Sequence, residues 1–374
     1  MPAKPGKAFY LLAVIWLLVQ AALWYYNGTG ITDEAEKYIG QAYHLQSDHY
    51  IDDTKYVFYF IPVFIIFISL IFHLGFAFVV IVQIVVNALA TVAFYKICKS
   101  LLKNDKGSIL ATILFITFIP LQYWNTFLYT ESIFYSLCIF FMYSYIVLPA
   151  GKASTHLIRG AIILALLFTR PLGILFIPVT AFYYLAQSKL KPAIKWLAAV
   201  TACIAVYFLV NFLYHSSADM DILMPQLQGS VICFGPQEYT NSNLQIIHSG
   251  NPANDLGYFV IHNTVYFSKL AFSRALSFFN LYRSYYSPLH NAYLILSMIF
   301  LYGFAFRSFT KSPLGRIPAF KYIFLPLVFI FCAGVMLQCD DFNSRFSMPL
   351  FPWIILLAID GVFITMGAKI EKNL

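Results

Sequence analysis

YVFYFIPVFIIFISLIFH, residues Tyr56–His73, is followed after Leu74 and Gly75 by FAFVVIVQIVVNALATVAF, residues Phe76–Phe94. How these two runs are counted decides the fold. Both are apolar, and the stretch Val57–Leu74 is only just long enough to cross a bilayer. If both span, Lys96, Lys99, Lys103 and Lys106 emerge on the outer side, against the preference of Lys and Arg for the cytoplasm. If Tyr56–His73 lies in the outer interface or re-enters from outside, the four lysines are cytoplasmic. The second reading is preferred, although length alone permits either.

Composition points the same way. Of 374 residues, 60% are hydrophobic, 19% aromatic and 11% charged, which excludes a soluble fold and predicts an all-α polytopic membrane protein. In such a chain the formal charge of +8 reports topology and not nucleic-acid binding. Lys4 and Lys7 precede the run Ala8–Leu23, which closes on Trp24-Tyr25-Tyr26. No A-x-A cleavage site follows, so the run reads as an uncleaved anchor with a cytoplasmic N-terminus. Further runs are Ile109–Tyr123, Ser132–Val147, Trp196–Tyr214, Leu289–Phe306, Ile323–Leu337 and Met348–Thr365, the last leading to a cytoplasmic C-terminus with Lys369 and Lys372. Ala161–Ala186 is too long for one crossing, and Arg170-Pro171-Leu172-Gly173 within it favours two short helices folded as a hairpin with Arg170 at the tip.

The expected architecture is a single transmembrane domain over residues 1–374, a bundle of about 10 spans with outer-face juxtamembrane helices and no separate soluble domain. Two outer segments stand out, a first loop at 27–75 and a long one at 215–288. In the second, about 255–281 reads as an amphipathic helix on the membrane face, with Lys269, Arg274 and Arg283 available to anionic headgroups or a lipid phosphate. Most of the 24 Lys and Arg residues then fall inside, and most carboxylates outside. The membrane is read as the plasma (inner) membrane.

The first outer loop opens with Gly30-Ile31-Thr32-Asp33-Glu34-Ala35-Glu36-Lys37-Tyr38. A helix is expected over about 34–46, capped by Thr32 or Asp33, with Tyr38, Ala42 and Leu45 on one face against the membrane or the bundle. His44, Asp48, His49, Asp52 and Asp53 follow; oxygen and imidazole ligands suit a divalent metal, but a solvated polar loop is the preferred reading, and no metal or other cofactor is assigned. The six cysteines include no CxxC. Cys233 and Cys339 both read as outward-facing, and whether they are bonded is left open, because loop position does not fix their separation.

Four groups gather near the outer ends of the runs: Asp33-Glu34, Glu131 in Leu128-Tyr129-Thr130-Glu131-Ser132, Arg170 in Thr169-Arg170-Pro171-Leu172-Gly173, and Arg345 in Asp340-Asp341-Phe342-Asn343-Ser344-Arg345. Each has a plain reading. Asp33 and Glu131 can be helix caps, Arg345 can pair with Asp340 or Asp341, and Arg170 can snorkel or bind carbonyls.

An acidic pair after the first run, Tyr-Thr-Glu opening a later one, Arg-Pro-x-Gly in a hairpin and Arg-x-x-x-Pro before the last, in this order, resemble the GT-C superfamily of integral-membrane glycosyltransferases. Within it the chain is most similar to bacterial relatives of protein O-mannosyltransferases and aminoarabinose transferases. The resemblance implies inverting transfer of a sugar from a polyprenyl-phosphate donor to an acceptor on the non-cytoplasmic face. It implies Asp33 as general base, Glu131 as second acidic residue, and Arg345, Arg170 and Lys55 toward the lipid phosphate. Glu34 and Tyr38 belong to the helix that carries Asp33. The chain departs from the family in having Glu at 131 and no globular extension, which leaves a lipid, glycan or protein acceptor open. Other readings are a lipid or sugar transporter or flippase, and a catalytically inactive scaffold subunit.

Overall fold

Proline and glycine cut the apolar runs into helices at places that the sequence marks. The computed structural model describes residues 7–49, 51, 54–215, 223–233, 235–241 and 243–367. The side chains of Asp33, Thr54 and Lys55, and of several residues between 198 and 215, lie outside the described residues, as do Asp52 and Asp53. The helices in the first half are α1 (Lys7–Asn27), α2 (Asp33–Ser47), α3 (Phe60–Ile71), α4 (Phe76–Leu102), α5 (Asp105–Thr117), α6 (Ile119–Gln122), α7 (Glu131–Ile146) and α8 (Ala153–Thr169). They continue as α9 (Phe176–Gln187), α10 (Pro192–His215), α11 (Met224–Gln228), α12 (Pro252–His262), α13 (Thr264–Phe279), α14 (Pro288–Lys311), α15 (Leu325–Leu337) and α16 (Phe351–Thr365). The chain is all-helical among the described residues, apart from two isolated β-bridges, Gly30 with Phe127 and Ile232 with Asp340.

Among the described residues, five helices are long and apolar enough to cross a membrane, at Lys7–Asn27, Phe76–Leu102, Pro288–Lys311, Phe320–Leu337 and Met348–Thr365. The sixth candidate is the α5/α6 pair, bent by 60°. The bend falls at Phe118 (φ −77°, ψ 88°), and Pro120 in the first turn of α6 brings no N–H to continue the α5 ladder. Shorter apolar helices form at Tyr56–Ile71, Glu131–Ile146, Ala153–Thr169 and Pro171–Gln187. Tyr56–His73 is split into a 3₁₀ turn, Thr54–Tyr59, and the 12-residue α3. The run 161–186 breaks at Arg170, which is extended (φ −159°, ψ 141°) because a residue before proline is pushed out of the α region. The long amphipathic helix expected over 255–281 is two helices, α12 and α13, broken at Asn263.

The chain divides into two compact units, one taking 1–177, 299–321 and 348–374, the other 178–298 and 322–347. In the first, α4 packs along α7 and α5, and α16 packs against α5. Helix α16 is buried along most of its length, from Phe351 to Gly361. Here α2 turns Ala35, Tyr38 and Ala42, spaced three and four apart, onto Val63 and Ile66 of α3 and Val79 and Val80 of α4. The apolar face of α2 thus lies on the bundle, with Leu45 only half-buried at its edge. A polar network ties α1 to the loop before α7: the Gln20 amide donates to Gln122, Asn125 donates to Gln20 and Gln122, and Ser132 donates to Asn125. Every bond in it is buried, where such a bond has no water to compete with.

In the second unit, Cys233 and Cys339 are disulfide-bonded across 106 residues. The bridge is flanked by the backbone bonds Cys233 N–H to Asp340 O and Asp340 N–H to Val231 O, both 2.8 Å.

Candidate functional site

Helix α7 begins at Glu131, and its free N–H groups together with the helix dipole favour a carboxylate there. Glu131 is fully buried, so its charge needs a partner as well. Arg170 supplies it, with Nη1 donating to Oε1 at 2.6 Å, and Thr130 Oγ1 donates to Oε2 at 3.1 Å. The extended backbone before Pro171 is what frees Arg170 from the end of α8. Arg170 is itself buried, so it neither snorkels nor stands in water.

A short strap brings the start of α2 to this pair. Gly30 N–H donates to Thr126 O at 2.8 Å, Leu128 N–H donates to Gly30 O at 3.0 Å, and the Asn27 amide donates to Thr126 Oγ1 at 3.1 Å. The Phe127 ring lies against Gly30 so closely that a Cβ there would sit 2.3 Å from a ring carbon. One residue before α2, the Thr32 hydroxyl is 2.6 Å from the Tyr129 hydroxyl. Tyr129 O in turn accepts from Gln83 Nε2 of α4 at 3.1 Å. The backbone of Asp33 therefore begins α2 beside Tyr129-Thr130-Glu131, although its side chain lies outside the described residues.

Along α2, Glu34 pairs with Lys37 at 3.1 Å and accepts from the Tyr38 hydroxyl at 3.3 Å. Lys37 lies over the rings of Tyr38 and Tyr59, 5.1 and 5.7 Å from their centroids. Burial, reinforced by the Glu34 charge, pushes the Tyr38 hydroxyl well above its ordinary range. Burial also pushes Tyr59 up to about 12, with Arg170 opposing and Glu34 and Glu131 adding to the rise. Both phenols stay protonated near neutrality and can donate.

Arg345 belongs to the second unit, where Nε and Nη2 grip both oxygens of Asp341 at 2.8 and 2.7 Å. Beside it Arg283 pairs with Asp340 at 2.6 Å, both side chains about 1% exposed. Burial pushes the Asp340 carboxyl up, while Arg283 and the Ser277 hydroxyl pull it back. The headgroup role expected for Arg274 and Arg283 is corrected by their burial. Arg274 is spent on the carbonyls of Pro225, Ser230 and Met336 and on Gln226, and Arg283 on Asp340 and the carbonyls around it. A cation that donates inward in this way has no face left for lipid.

His44 and Asp48 form an exposed pair at 3.1 Å, and His49 has a left-handed backbone (φ 61°). No three His, Cys, Asp or Glu gather around a metal position among the described residues. Tyr59 and Gln83 were not singled out from the sequence, and Gly30, Thr32 and Tyr129 entered only as motif or cap residues without these contacts. The only local signal was a glycine just before a capped helix, since their partners lie tens of residues away. Compared with known families, characterised proteins and solved structures, the chain shows no match.

Proposed function

We propose that the chain is a membrane glycosyltransferase that moves a sugar from a polyprenyl-phosphate donor to an acceptor, with inversion, at the outer face of the membrane. The observation that carries this reading is the strap, which holds the first residue of α2 against the N-terminal end of α7, where Glu131 and Arg170 are paired. In the reaction, Asp33 accepts the proton of an acceptor hydroxyl as its oxygen bonds to the anomeric carbon. The bond from that carbon to the phosphate oxygen breaks, and polyprenyl phosphate leaves. Negative charge gathers on the departing phosphate, where a guanidinium is worth most. Arg170 is already joined to Glu131, so a phosphate bound there must share this cation with the carboxylate; Arg345, joined to Asp341, belongs to the other unit and is not used in this site. Glu131 therefore acts as a positioning residue that orients Arg170, and Asp33 carries the proton. Lys55 of the first loop, whose side chain lies outside the described residues, is proposed to assist the same phosphate. The Cys233–Cys339 bond supports an outer placement for the loops it joins, since disulfides persist in oxidising compartments.

Purified protein in nanodiscs, given a polyprenyl-phosphate sugar and an acceptor, is expected to release polyprenyl phosphate. Asp33→Asn is expected to slow release by about 10²–10⁴ without loss of fold. A second reading, a lipid transporter, is favoured by one observation. Asp360 is fully buried in the α16 span, with Ser308 donating to Oδ2 at 2.6 Å and Oδ1 left without a partner. Intramembrane acids of that kind mark transport paths. Translocation of the lipid in sealed vesicles without any release of polyprenyl phosphate would select it.

A further inference from the structure

The loop 338–347 of the second unit is held far more tightly than a connection between two helices requires. The disulfide fixes its start, and Arg283, itself bracketed by Asn291, donates to Asp340 Oδ2 at 2.6 Å and to the Asp341 and Phe342 carbonyls at 3.3 Å. What this framework presents outward is aromatic. Tyr285 lies flat on Phe342, with centroids 3.8 Å apart and planes within 5°, while its hydroxyl donates to the Phe342 carbonyl. Tyr286 meets Tyr285 edge-on at 5.0 Å and stacks on His290 at 4.3 Å. Its hydroxyl donates to Asn343 Oδ1 at 2.9 Å. Tyr285 is 41% exposed and Phe342 47%, so large areas of both rings remain open despite their anchoring.

We propose that Phe342, Tyr285, Tyr286 and His290 form a platform for an uncharged glycan. This binding surface stands independently of the function proposed above. Three features select a neutral sugar. A pyranose ring has an apolar C–H face that lies on an aromatic ring, and a rim of hydroxyls that needs amide and imidazole partners of the kind Asn343 and His290 offer. The two guanidiniums beside the rings are each matched by a carboxylate, Arg283 by Asp340 and Arg345 by Asp341, so they lend the surface no net charge to attract an anionic headgroup or a phosphate. The rings are also held before any ligand arrives, which lowers the ordering cost of binding a weakly interacting molecule.

The test uses the full chain in nanodiscs without any lipid donor, with maltohexaose and cellohexaose as probes. Phe342→Trp, read as the difference from the unsubstituted protein, is expected to change its emission on saturation with at least one of the two hexasaccharides. Calorimetry is expected to show binding weakened about tenfold or more in Phe342→Leu and Tyr285→Leu, and kept within about twofold in Phe342→Tyr, which retains the ring. A matched melting temperature for Phe342→Tyr guards against loss of fold in the leucine variants. The proposal is overturned if neither hexasaccharide binds at ~10 mM. It is equally overturned if the leucine variants bind as the parent does. Quenching of the tryptophan at 342 by brominated lipid, whether sugar is present or not, would make the rings a membrane anchor instead. Because no donor is present, sugar binding is read without any transfer, so a failure of transfer and a failure of the platform give different results.

Discussion

Each compact unit contains a buried arginine–carboxylate pair at 2.6 Å, and the two are held in different ways. Glu131–Arg170 sits at a helix N-terminus and a proline break, and the chain beside it is held by backbone hydrogen bonds and a close glycine contact. Arg283–Asp340 sits next to a disulfide and is wrapped in carbonyls. A buried pair contributes little by itself, because desolvation offsets the attraction. What it does well is fix one arrangement of the segments that carry it. The first unit fixes its pair with reversible contacts, and the second adds a covalent bond, which suits a surface that must stay in shape without a ligand.

The sharpest way to break the comparison is to remove one partner. Arg170→Ala removes the guanidinium that faces the buried Glu131 carboxylate, and thermal or denaturant unfolding is expected to show a loss of about 3–5 kcal/mol. The double variant Glu131→Leu with Arg170→Met is expected to recover most of that, since a well-packed apolar pair replaces an ion pair at small cost. Reducing Cys233–Cys339, or replacing both cysteines with serine, is expected to cost about 2–5 kcal/mol in the second unit, read as a shift in melting temperature. If reduction left the melt unchanged, the covalent half of the contrast would be lost. Gly30→Ala drives a methyl into Phe127 and is expected to cost about 1–3 kcal/mol, with faster amide exchange at Gly30 and Leu128. The smallest effect belongs to the exposed end of α2. The hydrogen bond from His44 holds the Asp48 carboxyl below its usual range. A depressed carboxylate contributes above its unfolded value and loses that contribution as pH falls through the folded one. His44→Ala should therefore remove a small acid-side dependence of helix content, measured by circular dichroism below the ordinary Asp range.

Local chemistry made much of this legible. Pro171 forced a break that can be read directly, because a missing N–H and a restricted preceding residue act within one turn, whereas the bend inside the run Ile109–Tyr123 was not read. The cap and spacing of α2 placed its boundaries within a residue or two of Asp33–Ser47. Charge placement set Tyr56–His73 apart from its neighbour, and that run forms only a 12-residue helix after a 3₁₀ turn. The partners were not legible. Arg170 meets a residue 39 positions away, and Thr32 one 97 away. Arg274 and Arg283 looked like surface cations because nothing in an amphipathic spacing reveals that helix-end carbonyls will surround a guanidinium. Cys233 and Cys339 were open for the same reason: a bond depends on Cα separation, here 5.2 Å, which only tertiary packing sets.

The most direct measurement is single-turnover sugar transfer by the parent chain, Gly30→Ala and Asp33→Asn, with donor affinity measured in parallel. The account predicts that Asp33→Asn binds donor normally and transfers it about 10²-fold more slowly or worse, and that Gly30→Ala shows a smaller loss in the same step. Transfer at the parent rate by Asp33→Asn would contradict it.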